Sequence, residues 1–341
     1  MMRSSFSNKV FWLAGLLLTA GCVAPGLAPG SPEAAEPDTL RVVTTVSPIT
    51  NLVYNIAGDR ADIVGIVPEG VNSHTYEPAP SDVRQLADAD LIFINGLKLE
   101  EPVLRLAEAN ANEQSEIVLL GDQTITPEEY VYDFSFPLEA GSPNPHLWPN
   151  PFYALRYAEI VRDKLSERDP QHAEYYAANY ALVAERIEAL DGAIRATVES
   201  IPPENRKLLT YHDSWAYFAP VYGMTVVGAI QPSDFAEPSA RELVALIDQL
   251  KAEQVPAIFG SEVFPSTVLE QIARETGASY IDDLRDDDLP GQPGDDLHSY
   301  FGLMAANLRT MAAALGGDPT IFDAFDTRNI PGTDSRVEQS Q

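Results

Sequence analysis

The sequence predicts an α/β protein of two lobes, each a set of strand–helix (βα) units around a mostly parallel sheet, joined by a long connecting helix. Strand-like runs rich in β-branched residues alternate with helical segments from residue 41 to 120. Apolar residues then recur at helical spacing from about 151 to 200, and Pro170 marks a break or kink there. The strand–helix alternation resumes after residue 207, which predicts a second lobe of the same kind.

The individual elements follow from local composition. Runs such as "RVVTTV" and "LIFING" are apolar or β-branched and short, as buried strands are. The strands are expected at 41–46, 61–67, 91–96, 116–120, 207–212, 225–230, 256–261 and 278–282. Helices are expected at 48–58, from an N-cap at Ser81, and at 98–110, 214–222, 239–253, 265–276 and 297–315.

The N-terminus has the pattern of a secretory signal peptide over residues 1–21. A charged start is followed by an apolar run from Val10 to Ala20, which is too short to span a bilayer well. The run ends in "LLTAGC", which resembles a bacterial lipobox and predicts lipidation of Cys22. The alternative is an ordinary cleaved signal that leaves Cys22 as a free thiol.

Composition then divides the rest of the chain. Residues 22–39 are rich in Pro, Ala and Gly and have no apolar period, so they are expected to form a flexible tether. We expect an N-terminal lobe over 40–150, the connecting helix over 151–200, a C-terminal lobe over 201–325 and a polar tail over 326–341.

The charge balance argues against one class of partner. The chain has 51 Asp and Glu residues against 22 Lys and Arg, with a formal net charge of −29. Nucleic acid is therefore not an expected partner, because phosphate binding relies on Lys and Arg. A negative field also favours the approach of cations, although solubility alone would explain the acidic composition.

Four polar residues stand out once the elements are placed. His74 lies in the loop "GVNSHTYEPAP" after the second strand, and His146 lies in "PNPHLWPNP" before the connecting helix. His212 and Asp282 end predicted strands of the second lobe. In open α/β sheets, binding sites form at the carboxyl ends of strands, so the four could converge. For each histidine alone, a surface or structural role is the alternative.

These segments resemble the metal-ligand regions of a known family, the zinc/manganese solute-binding proteins of bacterial ABC importers. The segment "VPEGVNSHTYEPAPSDVRQLADADLIFINGLKLE" resembles the first region, "NPHLWPNP" the second, "TYHDSWAYFAPVYGM" the third and "YIDD" the fourth. The resemblance runs from about residue 40 to 315. It implies two α/β lobes bridged by a long helix, with a metal ion held between them.

The resemblance also implies the site. The metal ligands would be His74, His146, His212 and Asp282, with Asp283 or Glu262 as possible replacements for Asp282. The second ring nitrogens would need partners, for which Glu77 and Asp213 are candidates. Binding should weaken below about pH 6, because a histidine must be neutral to bind a metal.

The identity of the ion is less determined than the site. In this family a glutamate at the third ligand position tends to mark manganese importers, so His212 favours zinc (Zn²⁺). Manganese (Mn²⁺) remains the alternative. Residues 122–145 contain acidic residues but no histidine, whereas many zinc members have a histidine-rich loop there.

The resemblance implies a binding protein and not an enzyme. It would capture the ion at the periplasmic or extracytoplasmic face of the inner membrane and deliver it to an ABC transporter permease. We expect a monomer held to the membrane by a lipid on Cys22. The alternative from another class is a zinc-dependent hydrolase, in which three histidines bind zinc and Asp282 or Glu262 acts as the base.

Overall fold

The computed structural model describes residues 39–231, 239–261, 263, 267–331 and 338–339. The predicted signal peptide, Cys22 and the tether up to residue 38 lie outside the described residues, as does Glu262. Within the described ranges, no helix combines the length and apolar character that a bilayer span requires.

The N-terminal lobe contains a parallel sheet in the order β4-β3-β1-β2. The inner strand β3 is buried on both faces, as strands of a helix-covered parallel sheet are, since all four of its residues are buried. The strands are β1 (Leu40–Thr44), β2 (Ala61–Gly65), β3 (Leu91–Ile94) and β4 (Glu116–Leu119). The helices are α1 (Ser47–Ala57), α2 (Pro80–Asp88) and α3 (Glu101–Asn110).

Two helices, not one, join the lobes. The first, α4 (Pro151–Arg168), is separated from α5 (Ala173–Ser200) by a short 3₁₀ turn that begins at Pro170. Proline can start a helical turn but cannot continue the preceding one, which explains the predicted break.

The longer of these helices contacts both lobes. Asn179 Nδ2 donates to the carbonyl oxygen of Ile56 at the end of α1, at 2.9 Å. Nearer the other end, Asp191 Oδ1 accepts from the hydroxyl of Tyr222 in the C-terminal lobe, at 2.9 Å. With 28 residues, α5 is about 42 Å long.

The C-terminal lobe contains a second parallel sheet, in the order β6-β5-β7-β8. Its strands are β5 (Lys207–Thr210), β6 (Thr225–Ala229), β7 (Ala257–Ser261) and β8 (Ser279–Leu284). Its helices are α6 (Ala219–Tyr222), α7 (Ala240–Glu253), α8 (Thr267–Thr276) and α9 (Tyr300–Leu315). A two-residue strand, β9 (Glu338–Gln339), pairs in parallel with β2 of the other lobe.

The predicted two-lobe α/β class is confirmed, with corrections at the ends of elements. The helix expected over 214–222 is only the four residues of α6, because the chain from His212 to Phe218 is irregular. The predicted N-cap Ser81 lies inside α2, which begins at Pro80. The strand expected to end at Asp282 continues to Leu284.

One apolar core extends through both lobes and the connecting helices. Its largest fully buried side chains come from all three parts of the chain and include Trp148, Tyr157, Tyr176, Trp215 and Tyr300. The lobes therefore pack on shared side chains rather than touching only at a surface.

Candidate metal centre

His74 lies on a short turn at the carboxyl end of the N-terminal sheet. The turn is a 3₁₀ segment, Ser73–Thr75, in the loop that follows β2. The side-chain oxygen of Asn72 caps it by accepting from the backbone N–H of His74 at 2.9 Å. Gly70 has a φ of 78°, a left-handed conformation that costs glycine little, and it lets the loop turn back toward the other lobe.

His146 lies just before α4 and is fully buried. Its ring Nδ1 is 2.9 Å from Oδ1 of Asn144, and the same oxygen accepts from its backbone N–H at 2.9 Å. The amide nitrogen of Asn144 donates to Asp133 Oδ2 at 2.7 Å and to the Asp213 carbonyl at 2.6 Å. These acceptors fix the amide orientation, so Nδ1 of His146 carries the proton and its Nε2 lone pair is available.

Glu77 and Asp213 were the expected partners for the second ring nitrogens of the histidine ligands. For His146, Asn144 makes this contact instead. Glu77 is exposed. The carboxylate of Asp213 accepts from the backbone N–H of Trp215 at 3.0 Å. The position of Asn144, two residues before a candidate ligand, is a local signal that could have identified it.

His212 lies two residues beyond the end of β5 and is 4% exposed. The hydroxyl of Thr210 donates to its carbonyl oxygen at 2.8 Å, which holds the chain as it leaves the strand. The third candidate ligand is therefore placed at the carboxyl end of the second sheet, as expected.

The structure brings these three histidines together. Nε2 of His146 is 3.1 Å from Nε2 of His74 and 3.3 Å from Nε2 of His212. Two ligand atoms of a zinc tetrahedron with bonds of about 2.0–2.1 Å stand about 3.3–3.4 Å apart. Among the described residues, this is the one group of three or more His, Cys, Asp and Glu whose ligand atoms all lie within 4.8 Å of one another.

The acidic residue at this group is Asp286, and the structure does not bring Asp282 to it. Oδ2 of Asp286 is 2.8 Å from Nε2 of His212, and the side chain is 4% exposed. Asp282 is exposed on β8, and Asp283 pairs with Arg285 at 2.9 Å. Because β8 extends to Leu284, its carboxyl end lies beyond Asp282, and Asp286 follows that end.

Electrostatics keep two of the rings neutral. Burial, followed by the nearby His212, lowers the pKa of His74 from 6.5 to about 3. The pKa of His146 also lies well below its ordinary value, first because the ring is buried and then because His212 and His74 are close to it. Neutral imidazoles have the free lone pair that a metal ion needs.

Asp286 supplies the negative charge. Burial opposes its ionisation, but His212, Ser214 and His74 together more than offset this, so the pKa of Asp286 lies below its ordinary value. The arrangement is thus a set of imidazole nitrogens with one carboxylate, a donor set suited to zinc and other first-row divalent ions.

Aromatic side chains surround the group. The Phe136 ring lies 5.5 Å from the ring of His74 and 5.6 Å from that of His146, and Trp148 lies 5.1 Å from His146. A cavity of about 200 Å³, lined in part by Phe136 and Lys98, reaches His74. His74 is the least buried of the three histidines, so the cavity approaches the site from its most accessible side.

Comparison with known proteins relates the chain to metal-binding proteins. Residues 42–314 match the family model for ZnuA, described as zinc-uptake complex component A, periplasmic. The chain is 30% identical over 315 residues to the manganese-binding lipoprotein MntA of Halalkalibacterium halodurans, covering 92% of this chain and 99% of that protein. It is 33% identical over 276 residues to the iron-binding protein YfeA of Yersinia pestis, covering 81% and 86%.

Solved structures give the same result. The periplasmic zinc-binding protein TroA of Treponema pallidum matches with a TM-score of 0.73 and 28% identity, over 80% of this chain and 98% of that one. A manganese-bound periplasmic metal-binding protein of Candidatus Liberibacter asiaticus matches with a TM-score of 0.70 and 26% identity, over 80% and 98%. With the match covering most of its length, the chain belongs to the ZnuA family of periplasmic metal-binding proteins.

Proposed function

We propose that this chain is the solute-binding component of an ABC importer and that it captures a divalent transition metal, with zinc favoured over manganese. The observation that carries the proposal is the convergence of the Nε2 atoms of His74, His146 and His212 at 3.1 and 3.3 Å. Family membership supports the transport role, because the matched family is that of a zinc-uptake component.

The proposed ligands are His74, His146, His212 and Asp286. Asp286 replaces Asp282 in this set because it is buried and its carboxylate already lies 2.8 Å from His212. Four protein ligands would leave no open position for the water that a hydrolytic zinc site uses. This supports a binding role over the hydrolase alternative.

The preference for zinc rests on the donor set. Three histidine nitrogens and one carboxylate oxygen form a donor set that suits zinc, whereas manganese favours larger, oxygen-rich shells. Relatives are named for zinc, manganese and iron, so their names do not decide the ion.

Metal analysis tests the proposal directly. Protein purified without chelator should contain about one zinc ion per chain, and zinc should displace manganese in competition calorimetry. If neither zinc nor manganese binds in a one-to-one ratio, the proposed function is overturned. Tight manganese binding that zinc cannot displace would overturn the zinc preference alone.

The remaining parts of the proposal concern location and partners. We propose that Cys22 is lipidated, that the chain acts as a monomer at the extracytoplasmic face of the membrane, and that it delivers the ion to an ABC permease. Several relatives are named as lipoproteins, which supports the anchor. Labelling cells with a fatty-acid analogue should mark the wild-type chain and not Cys22→Ala.

A further inference from the structure

Two consecutive aspartates in the loop after β8 reach toward different lobes. Asp286 contacts His212 of the C-terminal lobe. Asp287 instead accepts from Ser73 of the N-terminal lobe, through the hydroxyl at 2.7 Å and the backbone N–H at 3.3 Å. Ser73 is 1% exposed and directly precedes His74.

The neighbouring residues extend this contact between the lobes. Oδ2 of Asp288 accepts from the backbone N–H of Gly70 at 2.8 Å. The backbone N–H of Leu289 donates to Glu69 at 3.3 Å. The loop that bears His74 is therefore bonded to the loop that bears Asp286 at three successive points.

We propose that Asp287 is a positioning residue for the metal site and acts through Ser73 to hold His74 in place. The inference rests on the proposed function. His74 needs such support because its turn has only three residues and its side chain is the least buried of the three histidines. Asp286 and Asp287 are consecutive, with Cα atoms about 3.8 Å apart, so the same short part of the loop carries the carboxylate at His212 and the acceptor for the turn of His74.

The consequence concerns metal release. Departure of the ion requires a ligand to leave, and His74 is the ligand nearest to the cavity. While Asp287 holds Ser73, that ligand stays in the binding geometry; without the bond, the turn gains freedom and the ion leaves faster. Loss of a residue that orients a metal ligand typically costs about 10–100-fold in affinity.

The test compares Ser73→Ala, Asp287→Ala and the double variant in the full mature chain. Each single variant should release zinc about 10–100-fold faster in stopped-flow exchange with a chelator, while still binding one ion per chain. Since both residues act through the same contact, the double variant should be no faster than the faster single variant. Asp287→Asn keeps an acceptor oxygen and should recover most of the wild-type rate.

A second readout separates positioning from a general loss of stability. Cobalt substituted for zinc should give an altered visible spectrum in Ser73→Ala, because the geometry around the ion changes. Matched controls are Ser166→Ala, which removes a hydroxyl bonded within α4 at 2.7 Å, and Asp248→Ala, which removes an exposed acid from α7. Both should match the wild type.

Several outcomes would overturn the inference. One is a folded Ser73→Ala protein with the wild-type release rate and cobalt spectrum. Another is an effect of the double variant equal to the full product of the single effects, since the residues would then act separately. If Asp287→Ala does not fold, Ser73→Ala decides alone, because it removes one oxygen atom. If the wild type binds neither zinc nor cobalt, the proposed function fails as well.

Discussion

At the scale of single residues, the carboxylate of Asp286 distinguishes this site from a simple cluster of histidines. It is the buried anion beside His212, whereas Asp282 faces solvent on β8. Asp286→Asn should therefore weaken zinc binding by at least about tenfold, since an amide is a poorer ligand and has no charge. Calorimetry on the purified chain measures this.

The matched control is Asp282→Asn, which removes an acid of the same type four residues away. It should leave the zinc affinity unchanged. The opposite result, with Asp282→Asn weakened and Asp286→Asn normal, would restore the ligand set that the sequence alone suggests.

The histidines themselves should behave differently from histidines in solution. Burial lowers the pKa of His74 to about 3 and that of His146 in the same direction. In the metal-free protein, both rings should therefore stay neutral from pH 7 to 5, which ¹⁵N NMR of the rings can measure. Histidines with an ordinary pKa would be protonated below about pH 6 and would lose the metal. His74 and His146 should stay neutral there, so protonation of these two ligands should not weaken binding at that pH.

The same shifts affect stability, with a definite sign. Between an unfolded pKa near 6.5 and the lower folded values, the unfolded chain binds protons that the folded chain does not. The free energy of unfolding should therefore decrease as pH falls below about 6.5. Rings of His74 and His146 that titrate near pH 6.5 in the folded protein would contradict this account.

At the scale of elements, the sequence predicted the strands well and their ends less well. All eight strands of the two main sheets lie where β-branched and apolar runs predicted them. However, β8 continues two residues beyond its predicted end, to Leu284. The acid that follows the end of the strand is therefore Asp286, which replaces Asp282 as the proposed fourth ligand. Strand boundaries depend on neighbouring strands and loops, which a local pattern does not contain.

Burial of the three acids at 286–288 could not be predicted locally for a similar reason. A run of charged residues ordinarily stays in water. Here the run is buried because Ser73 and Gly70, more than 200 residues away in sequence, supply hydrogen-bond donors. Each of the three histidines follows a strand or precedes a helix at the edge where such sites form, but the resemblance of their segments to known metal-ligand regions is what predicted them as ligands.

The connecting helix α5 makes a prediction of its own. Asn179 is 7% exposed and donates to the Ile56 carbonyl at 2.9 Å. Asn179→Ala would remove the donor from a buried acceptor and should lower the free energy of unfolding by about 1–3 kcal/mol. Urea denaturation measures this change, and zinc affinity should stay the same because neither residue lies at the site.

Glu188→Ala provides the control for this helix, because Glu188 is exposed on α5. It should change the unfolding free energy little. An equal loss in both variants would mean that helix propensity, and not the bond to α1, accounts for the effect.

At the scale of the whole molecule, the shared core and α5 limit how far the lobes can move. One apolar cluster extends through both lobes, and α5 is hydrogen-bonded to each. Hinged closure would have to open that core, which costs more than a rotation about a flexible linker. The radius of gyration from X-ray scattering should therefore be the same, within error, with and without zinc.

A contraction of several ångströms on addition of zinc would contradict this expectation. The matched control is the Asp286→Asn variant measured at the same zinc concentration. Because it should bind the ion weakly, any change that it shares with the wild type would come from the zinc solution and not from occupation of the site.

Trp148 gives the protein an intrinsic fluorescence signal for the bound metal ion. Its ring lies 5.1 Å from His146, and its indole N–H donates to the carbonyl oxygen of Asp286 at 2.8 Å. An ion at this site would sit close enough to alter the emission of that indole. Paramagnetic manganese should quench the tryptophan fluorescence and zinc should not. Exchange of one metal for the other, which produces no colour, could then be followed by the fluorescence of the unlabelled protein.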